Sequence, residues 1–503
     1  MRSNKKEICI FVALVVIAIF FRFYQLDSWP PGLYPDEAMN GNNASAVLET
    51  GSFKVFYPEN NGREGLFINL QAISVNMFGI HPWSLRAVSA VIGILTVIGL
   101  YFLTKELFNW RLGAFSGFLL SISFWLVNFS RIGFRAIMLP FILVFGFYFF
   151  LRGLKKASFL DFGIAGIFWG LGAHTYISYR VAPIILIVVL IIYWLSIKKD
   201  FSLTKYKQTR KQILKGLTLF VAVVVVVALP ILLNFLQNPE HFLNRTYLSV
   251  FGQKNLMKEF GLSVVKTLGM FNFSGDYNWR HNISGWPMLS LPIGILFFLG
   301  FFRELTHWLK RKHGHFSTTH TLLFSWFFIM LLPGFLSIEA PHALRTIGVL
   351  PVVMIFAAQG LFWIIMKLYK WHAFIDPHAN IRESRNLAKY ALIIFLMSLV
   401  FLEYHRYFNV WSKNEETRNA FNQKHVELAS ELNALPGNIR KYVVVNSSSV
   451  LVNGIPMPSQ TVMFLTDTFT PAKQSAKNIF YLTEEQYKKG DYHRNSTVFL
   501  LEK

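Results

Sequence analysis

The sequence predicts a polytopic α-helical membrane protein of about eleven transmembrane helices, with external interfacial helices in its first loop and a small C-terminal α/β external domain. Three observations predict it. Apolar runs of about 20 residues, the length a helix needs to cross a bilayer, recur from Ile8 to Tyr407. The chain is 53% hydrophobic and only 15% charged, with 51 Phe and 13 Trp, which sets it apart from soluble domains. Its net charge of +22 sits in short Lys and Arg clusters between apolar runs and not on one patch, so the charge reports topology and no nucleic-acid partner is expected.

The first span is 8–24. Arg2, Lys5 and Lys6 precede it as in a signal sequence, but no small-residue cleavage pattern follows Phe23, so it is expected to stay as a signal anchor. Cys9, the single cysteine, lies inside this run, which excludes a disulfide framework or a cysteine metal site within one chain. The further spans are 83–103, 113–130, 136–151, 160–178, 181–197, 213–236, 287–302, 320–338, 343–366 and 388–407. With a cytoplasmic N-terminus, every inside loop is basic: Lys105 and Arg111; Arg152, Lys155 and Lys156; seven cations from Lys198 to Lys215; Arg303 with Lys310 to Lys312; and Lys367, Lys370, Arg382 and Arg385. That is the charge bias of cytoplasmic loops, and it predicts a multi-pass plasma-membrane protein. The outside then receives 25–82, the turns 131–135 and 179–180, the loop 237–286, the turn 339–342 and the tail 408–503.

Two domains follow: a membrane domain over 1–407 and a small extracytoplasmic domain over 408–503. In the tail, Asn414 to Leu435 has helical periodicity with a stop at Pro436-Gly437. Lys441 to Asn446, Thr461 to Leu465, Asn478 to Leu482 and Thr497 to Leu501 have the β-branched and aromatic character of strands.

Polar residues collect in the outside segments. Pro35 can open a short helix on which Asp36, Asn40 and Asn43 share a face, fixing one carboxylate at the membrane boundary beside Glu37. Taken alone, such an acidic pair could be no more than helix-start charges favoured by the dipole. Arg63 and Glu64 stand before the next apolar stretch and make the acidic cluster denser. The remaining outside segments bring cations where the charge rule disfavours them: Arg131 and Arg135; His174, Tyr176, Tyr179 and Arg180; Asp276, Arg280 and His281; His342 and Arg345. Any one arginine could face lipid headgroups. As a set, with Arg180 four residues after Tyr176 and Arg345 three after His342, they suggest a shared cavity that grips a phosphate.

One carboxylate among several arginines suits transfer of a sugar from a lipid phosphate to a hydroxyl: a base takes the acceptor's proton and cations stabilise the departing phosphate. No cofactor is predicted, and a divalent metal is left open. The Asp-Glu pair after the first span, the G-x-E-G-type second part of that segment and the outward polar turns resemble the C-superfamily of membrane glycosyltransferases, in its family 39 branch. That branch holds the protein O-mannosyltransferases and lipid A aminoarabinose transferases. The resemblance spans about 1–407, and the turns at Tyr176–Arg180, Asp276–His281 and His342–Arg345 are similar to those of bacterial members. It implies that Asp36 is the catalytic base with Glu37 beside it, and that Glu64 helps to hold donor or acceptor. It further implies a polyprenyl-phosphate-linked sugar donor, an acceptor hydroxyl on protein, lipid or glycan, and inversion at the sugar. Arg63-Glu64 stands where aminoarabinose transferases typically have Glu-Lys, and Ala38 breaks the D-x-D spacing of metal-dependent oligosaccharyltransferases. The alternative is a transporter or flippase for an anionic lipid or sugar, which would favour ionisable residues near the bilayer midplane.

Overall fold

In the computed structural model, residues 5–197, 203–243, 255–310, 318–375, 381–493 and 495–502 are described. The basic residues Lys198, Lys199, Arg311 and Lys312, and part of the loop 237–286, lie outside them. The chain is a helical membrane protein with a small α/β unit at its C-terminus. Its first helices are α1 (Lys5–Phe23), α2 (Pro35–Thr50), α3 (Gly65–Phe78) and α4 (Pro82–Leu107). Then come α5 (Trp110–Ile122), α6 (Phe124–Phe129), α7 (Met138–Lys156), α8 (Phe159–Gly172), α9 (Ala182–Ile197) and α10 (Leu203–Gln237). The short α11 (Pro239–Leu243) and α12 (Leu256–Gly269) precede α13 (Leu291–Lys310), α14 (Thr318–Phe335), α15 (Leu350–Ile375) and α16 (Ile381–Tyr404).

Each apolar run holds at least one helix or most of one. Among the described residues, seven helices are long and apolar enough to span a bilayer by themselves. The other runs depart for visible reasons. The run 113–130 breaks at Ser123 between α5 and α6, and the Phe124 N–H freed by the break donates to the buried Glu403 carboxylate at 2.9 Å. Helix α8 has only 14 residues, while α1 and α13 carry charges at their ends. A continuous apolar core runs through the bundle and includes Trp125, Trp326 and Trp411. The last membrane helix continues into a π-helical turn, His405–Trp411, before the tail begins.

In the tail, α17 (Glu415–Ala420) and α18 (Gln423–Ala434) precede a parallel sheet. It comprises β3 (Lys441–Asn446), flanked by β6 (Ile479–Thr483) and β7 (Thr497–Glu502), with Lys441 opposite both Ile479 and Thr497. Val443 and Val445 pack on Ala429 and Leu432 of α18. The strand expected at Thr461 to Leu465 is instead the helix α19 (Ser459–Leu465), because tertiary contacts override its β-branched residues. Thr461 Oγ donates to the Leu33 carbonyl at 2.9 Å, Asn42 donates to Gln460 Oε1 at 2.9 Å, and Phe464 fills a cluster with Leu33, Ala38 and Leu85. The contact is close enough that a Cβ at Gly41 would lie 2.5 Å from the Phe464 ring. The tail is thus bolted onto α2, the helix that begins with the acidic pair.

Candidate active site

Helix α2 starts where Pro35 supplies a helical φ and has no N–H to leave unpaired. Asp36 and Glu37 follow in its first turn, where the helix dipole favours negative charge. Adjacent helical residues point about 100° apart at 3.6 residues per turn, so the two carboxylates part company. Glu37 turns inward and is fully buried; its Oε2 accepts the Gly133 N–H at 2.6 Å and Arg86 Nε at 3.1 Å. Arg86 spends its other donors on the Pro30 and Gly32 carbonyls at 2.8 and 2.7 Å. This is a sealed structural ion pair, so the expected place for Glu37 beside the chemistry is corrected to a seat underneath it.

Asp36 turns the other way, half-buried, into a cavity of about 70 Å³ that it shares with Asn40, Asn60, Arg63, Phe134, Arg135, Ala136, Tyr176 and Leu344. Asn60 Nδ2 donates to its Oδ1 at 2.8 Å. Asn60 stands in the turn of a hairpin in which β1 (Phe56–Tyr57) pairs with β2 (Arg63–Glu64), so one device delivers Asn60, Arg63 and Glu64 to the same rim. Arg63 donates to Asn40 Oδ1 at 2.7 Å and Asn43 Oδ1 at 2.6 Å, which gives the shared face of Asp36, Asn40 and Asn43 its partner. Arg135 donates through Nε to Glu64 at 2.6 Å and lies over the Tyr176 ring.

The remaining arginines divide. Arg131, offered by the sequence as a phosphate ligand, is buried and donates to five main-chain carbonyls, those of Phe21, Arg22, Tyr24, Gln25 and Trp29, at 2.8 to 3.1 Å. Its guanidinium also lies over Tyr407 and Phe408, so it clamps the end of α1 and cannot face a ligand. Arg180 donates to the Phe242 carbonyl at 2.8 Å, and Arg345 pairs with Glu339 at 2.5 Å. Neither lines the cavity with Asp36. Ile177–Val181 is a 3₁₀ turn, in which residues four apart do not share a face, and this parts Arg180 from Tyr176. Residues 337–346 form turns and not a helix, which removes the face assumed for His342 and Arg345. His174 bonds the Val227 carbonyl at 2.9 Å. Tyr179 is buried, its hydroxyl donating to the Trp169 carbonyl, so it braces α8.

Asp276, His281 and His342 form a second cluster. Asp276 Oδ2 lies 2.8 Å from His281 Nδ1 and accepts the Ala343 N–H at 2.7 Å, while the His281 and His342 rings lie 5.1 Å apart. Burial works to raise the Asp276 pKa, but the charge and hydrogen bond of His281, the charge of His342 and the Asn278 N–H together outweigh it and bring the carboxyl down to about 2. Burial and the charge of His281 push His342 down to about 3. One ligand atom from each of the three residues falls within 4.8 Å of the others. A carboxylate and two imidazoles are the donor set of a three-ligand zinc site, and His342 Nδ1 is buried without a hydrogen-bond partner among the described residues. His342 stands two residues before Leu344 of the Asp36 cavity. Arg280 lies over the Tyr34 ring at 4.0 Å, beside Pro35 and Asp36, and burial together with the Asp36 charge raises the Tyr34 phenol.

Three contributors are not singled out by the sequence. Arg86 leaves a signal, a charge in the first turn of an apolar span, where a buried partner is to be expected. Asn60 and Tyr34 leave none, being ordinary residues of an Asn-Asn-Gly turn and a pre-proline stretch.

Residues 66–232 match the dolichyl-phosphate-mannose-protein mannosyltransferase family. The match starts after the Asp36 segment and includes Arg86, Arg131, Arg135 and Tyr176. The structure of ArnT from Cupriavidus metallidurans bound to undecaprenyl phosphate superposes with a TM-score of 0.56 at 15% identity, covering 97% of this chain and 91% of that one. The chain shares its fold with that structure. The archaeal oligosaccharyltransferase AglB from Archaeoglobus fulgidus, in complex with an inhibitory peptide and a dolichol-phosphate, shares the fold at a TM-score of 0.54 and 12% identity, over 96% of this chain and 70% of that one. Among curated proteins none matches the sequence.

Proposed function

We propose that the chain transfers a monosaccharide from a polyprenyl-phosphate donor to a hydroxyl acceptor, with inversion, on the extracytoplasmic face of the plasma membrane. The observation that carries this reading is the shared cavity of Asp36, Arg63 and Arg135. The glycosyltransferase fold supports it, since relatives of that fold hold undecaprenyl phosphate and dolichol phosphate. The basic loops support the orientation, with a cytoplasmic N-terminus and an external C-terminal domain.

In this mechanism Asp36 accepts the proton of the acceptor hydroxyl as its oxygen attacks the anomeric carbon. The bond from that carbon to the phosphate oxygen breaks on the opposite face, and the electron pair leaves with the phosphate. Arg135 is anchored to Glu64 through Nε, which leaves its outer N–H groups for the departing charge. Arg63, held between Asn40 and Asn43, supplies a second fixed positive charge. Asn60 orients the carboxylate until the acceptor replaces it. The transfer draws on these side chains and on the donor's own phosphate; a divalent ion held by Asp276, His281 and His342 would add positive charge at the Leu344 wall.

The test is mass spectrometry of envelope lipids and glycans from cells with and without the chain. Loss of one glycan modification with accumulation of a polyprenyl-phosphate sugar is the expected result. Unchanged glycans, together with labelled lipid moving between the leaflets of vesicles that contain the purified chain, would favour the transporter instead.

A further inference from the structure

A second and larger space opens at the start of α2, the helix that carries Asp36. It is a groove of about 630 Å³, against about 70 Å³ for the cavity itself. It begins at Tyr34 and Pro35, directly before Asp36, and its far wall belongs to the C-terminal domain. The cavity alone is too tight for a sugar and its acceptor together, so the groove is the space at this helix start with room for an acceptor.

Its lining specifies a chemistry. Asn422, Ser447 and Ser449 offer amide and hydroxyl groups, and Arg280 and Lys424 are two cations, while no aspartate or glutamate lines it among the described residues. Tyr34, Pro35, Ala420, Met457 and Pro458 supply a broad apolar wall of the kind that suits the C–H faces of sugar rings. The groove is bordered by helix and loop residues: β3 ends at Asn446, and the short β5 (Ile455–Pro456) ends before Met457. Among the described residues no strand lines the groove, so it offers no sheet edge to an extended peptide, whose capture by strand addition needs one.

We propose that this groove receives the acceptor, and that the acceptor is an anionic glycan whose acidic group sits between Arg280 and Lys424 while a hydroxyl reaches Asp36. The inference rests on the reading of Asp36 as the base and adds that the C-terminal domain selects the substrate. Two cations on a lining that carries no carboxylate among the described residues give the preference for negative charge, and the side-chain amides and hydroxyls give the preference for a polyol.

The test measures binding to the full-length protein in lipid nanodiscs, using trigalacturonate, neutral maltotriose and a hexapeptide of the same net charge as trigalacturonate. Trigalacturonate is expected to bind about tenfold more tightly than maltotriose, with the difference shrinking as salt rises. Lys424→Glu, at an exposed position, should remove that preference, and Ser449→Trp should weaken both sugars by filling the groove. Tighter binding of the peptide, or trigalacturonate binding that neither variant changes, would overturn the proposal. The readout is binding, so it separates from catalysis. Saturable trigalacturonate binding without any sugar transfer leaves the groove and removes the base; transfer without such binding leaves the base and removes the anionic acceptor.

Discussion

Two layers of one turn can be compared: the rim of the Asp36 cavity and the seat beneath it. Both are built from acids and arginines of the same short stretches, Asp36 beside Glu37 and Arg135 four residues after Arg131. In the seat each charge is tied on several sides: Glu37 by Arg86 and the Gly133 N–H, Arg131 by five carbonyls bound to its two terminal nitrogens. At the rim the groups keep capacity: Asp36 is half-buried with one amide on it, and Arg135 is tied through a single nitrogen. Both layers draw on the same kinds of side chain, a carboxylate and arginines. What assigns the role is how completely the hydrogen-bonding groups are used.

Breaking the seat should cost stability. Arg86→Ala leaves Glu37 charged and buried without its partner, and a loss of about 3–5 kcal/mol is expected, read as a fall in the thermal midpoint in detergent. Arg131→Gln strands several carbonyls at the end of α1 and should cost about 3 kcal/mol on the same measurement. The rim should respond differently. Arg135→Lys keeps the charge but loses the fork, so transfer should fall about ten- to a hundredfold while the midpoint moves little. If Arg131→Gln and Arg135→Lys instead lose stability alike, the two layers are one. The smallest effect is expected outside both: Tyr179→Phe removes one buried hydrogen bond, for about 1 kcal/mol of stability and unchanged transfer kinetics.

Much of the fold was legible in the sequence, because apolar length is a property of runs and survives ignorance of tertiary contacts. Pro35 opening α2, and Asn40 and Asn43 falling on one face with Asp36, follow from helical periodicity alone. The site was legible only in part. The direction of Glu37 depends on Arg86 and Gly133, residues 49 and 96 positions away along the chain. Arg180 was misassigned because its segment turns with a 3₁₀ period, and α19 because Phe464 and Thr461 gain more against α2 than in a strand. A charge's partners are long-range facts, and roles that hang on them do not show in local pattern.

The most direct measurement sets Asp36→Asn beside Glu37→Gln in the same nanodisc preparation, recording thermal midpoint and release of polyprenyl phosphate from a polyprenyl-phosphate sugar for each. Asp36→Asn should fold like the native protein and lose about 10²–10⁴ of the rate, the contribution of a general base. Glu37→Gln should lower the midpoint sharply. Full activity of the Asp36→Asn protein, or loss of activity in Glu37→Gln at an unchanged midpoint, would contradict the division of the two carboxylates.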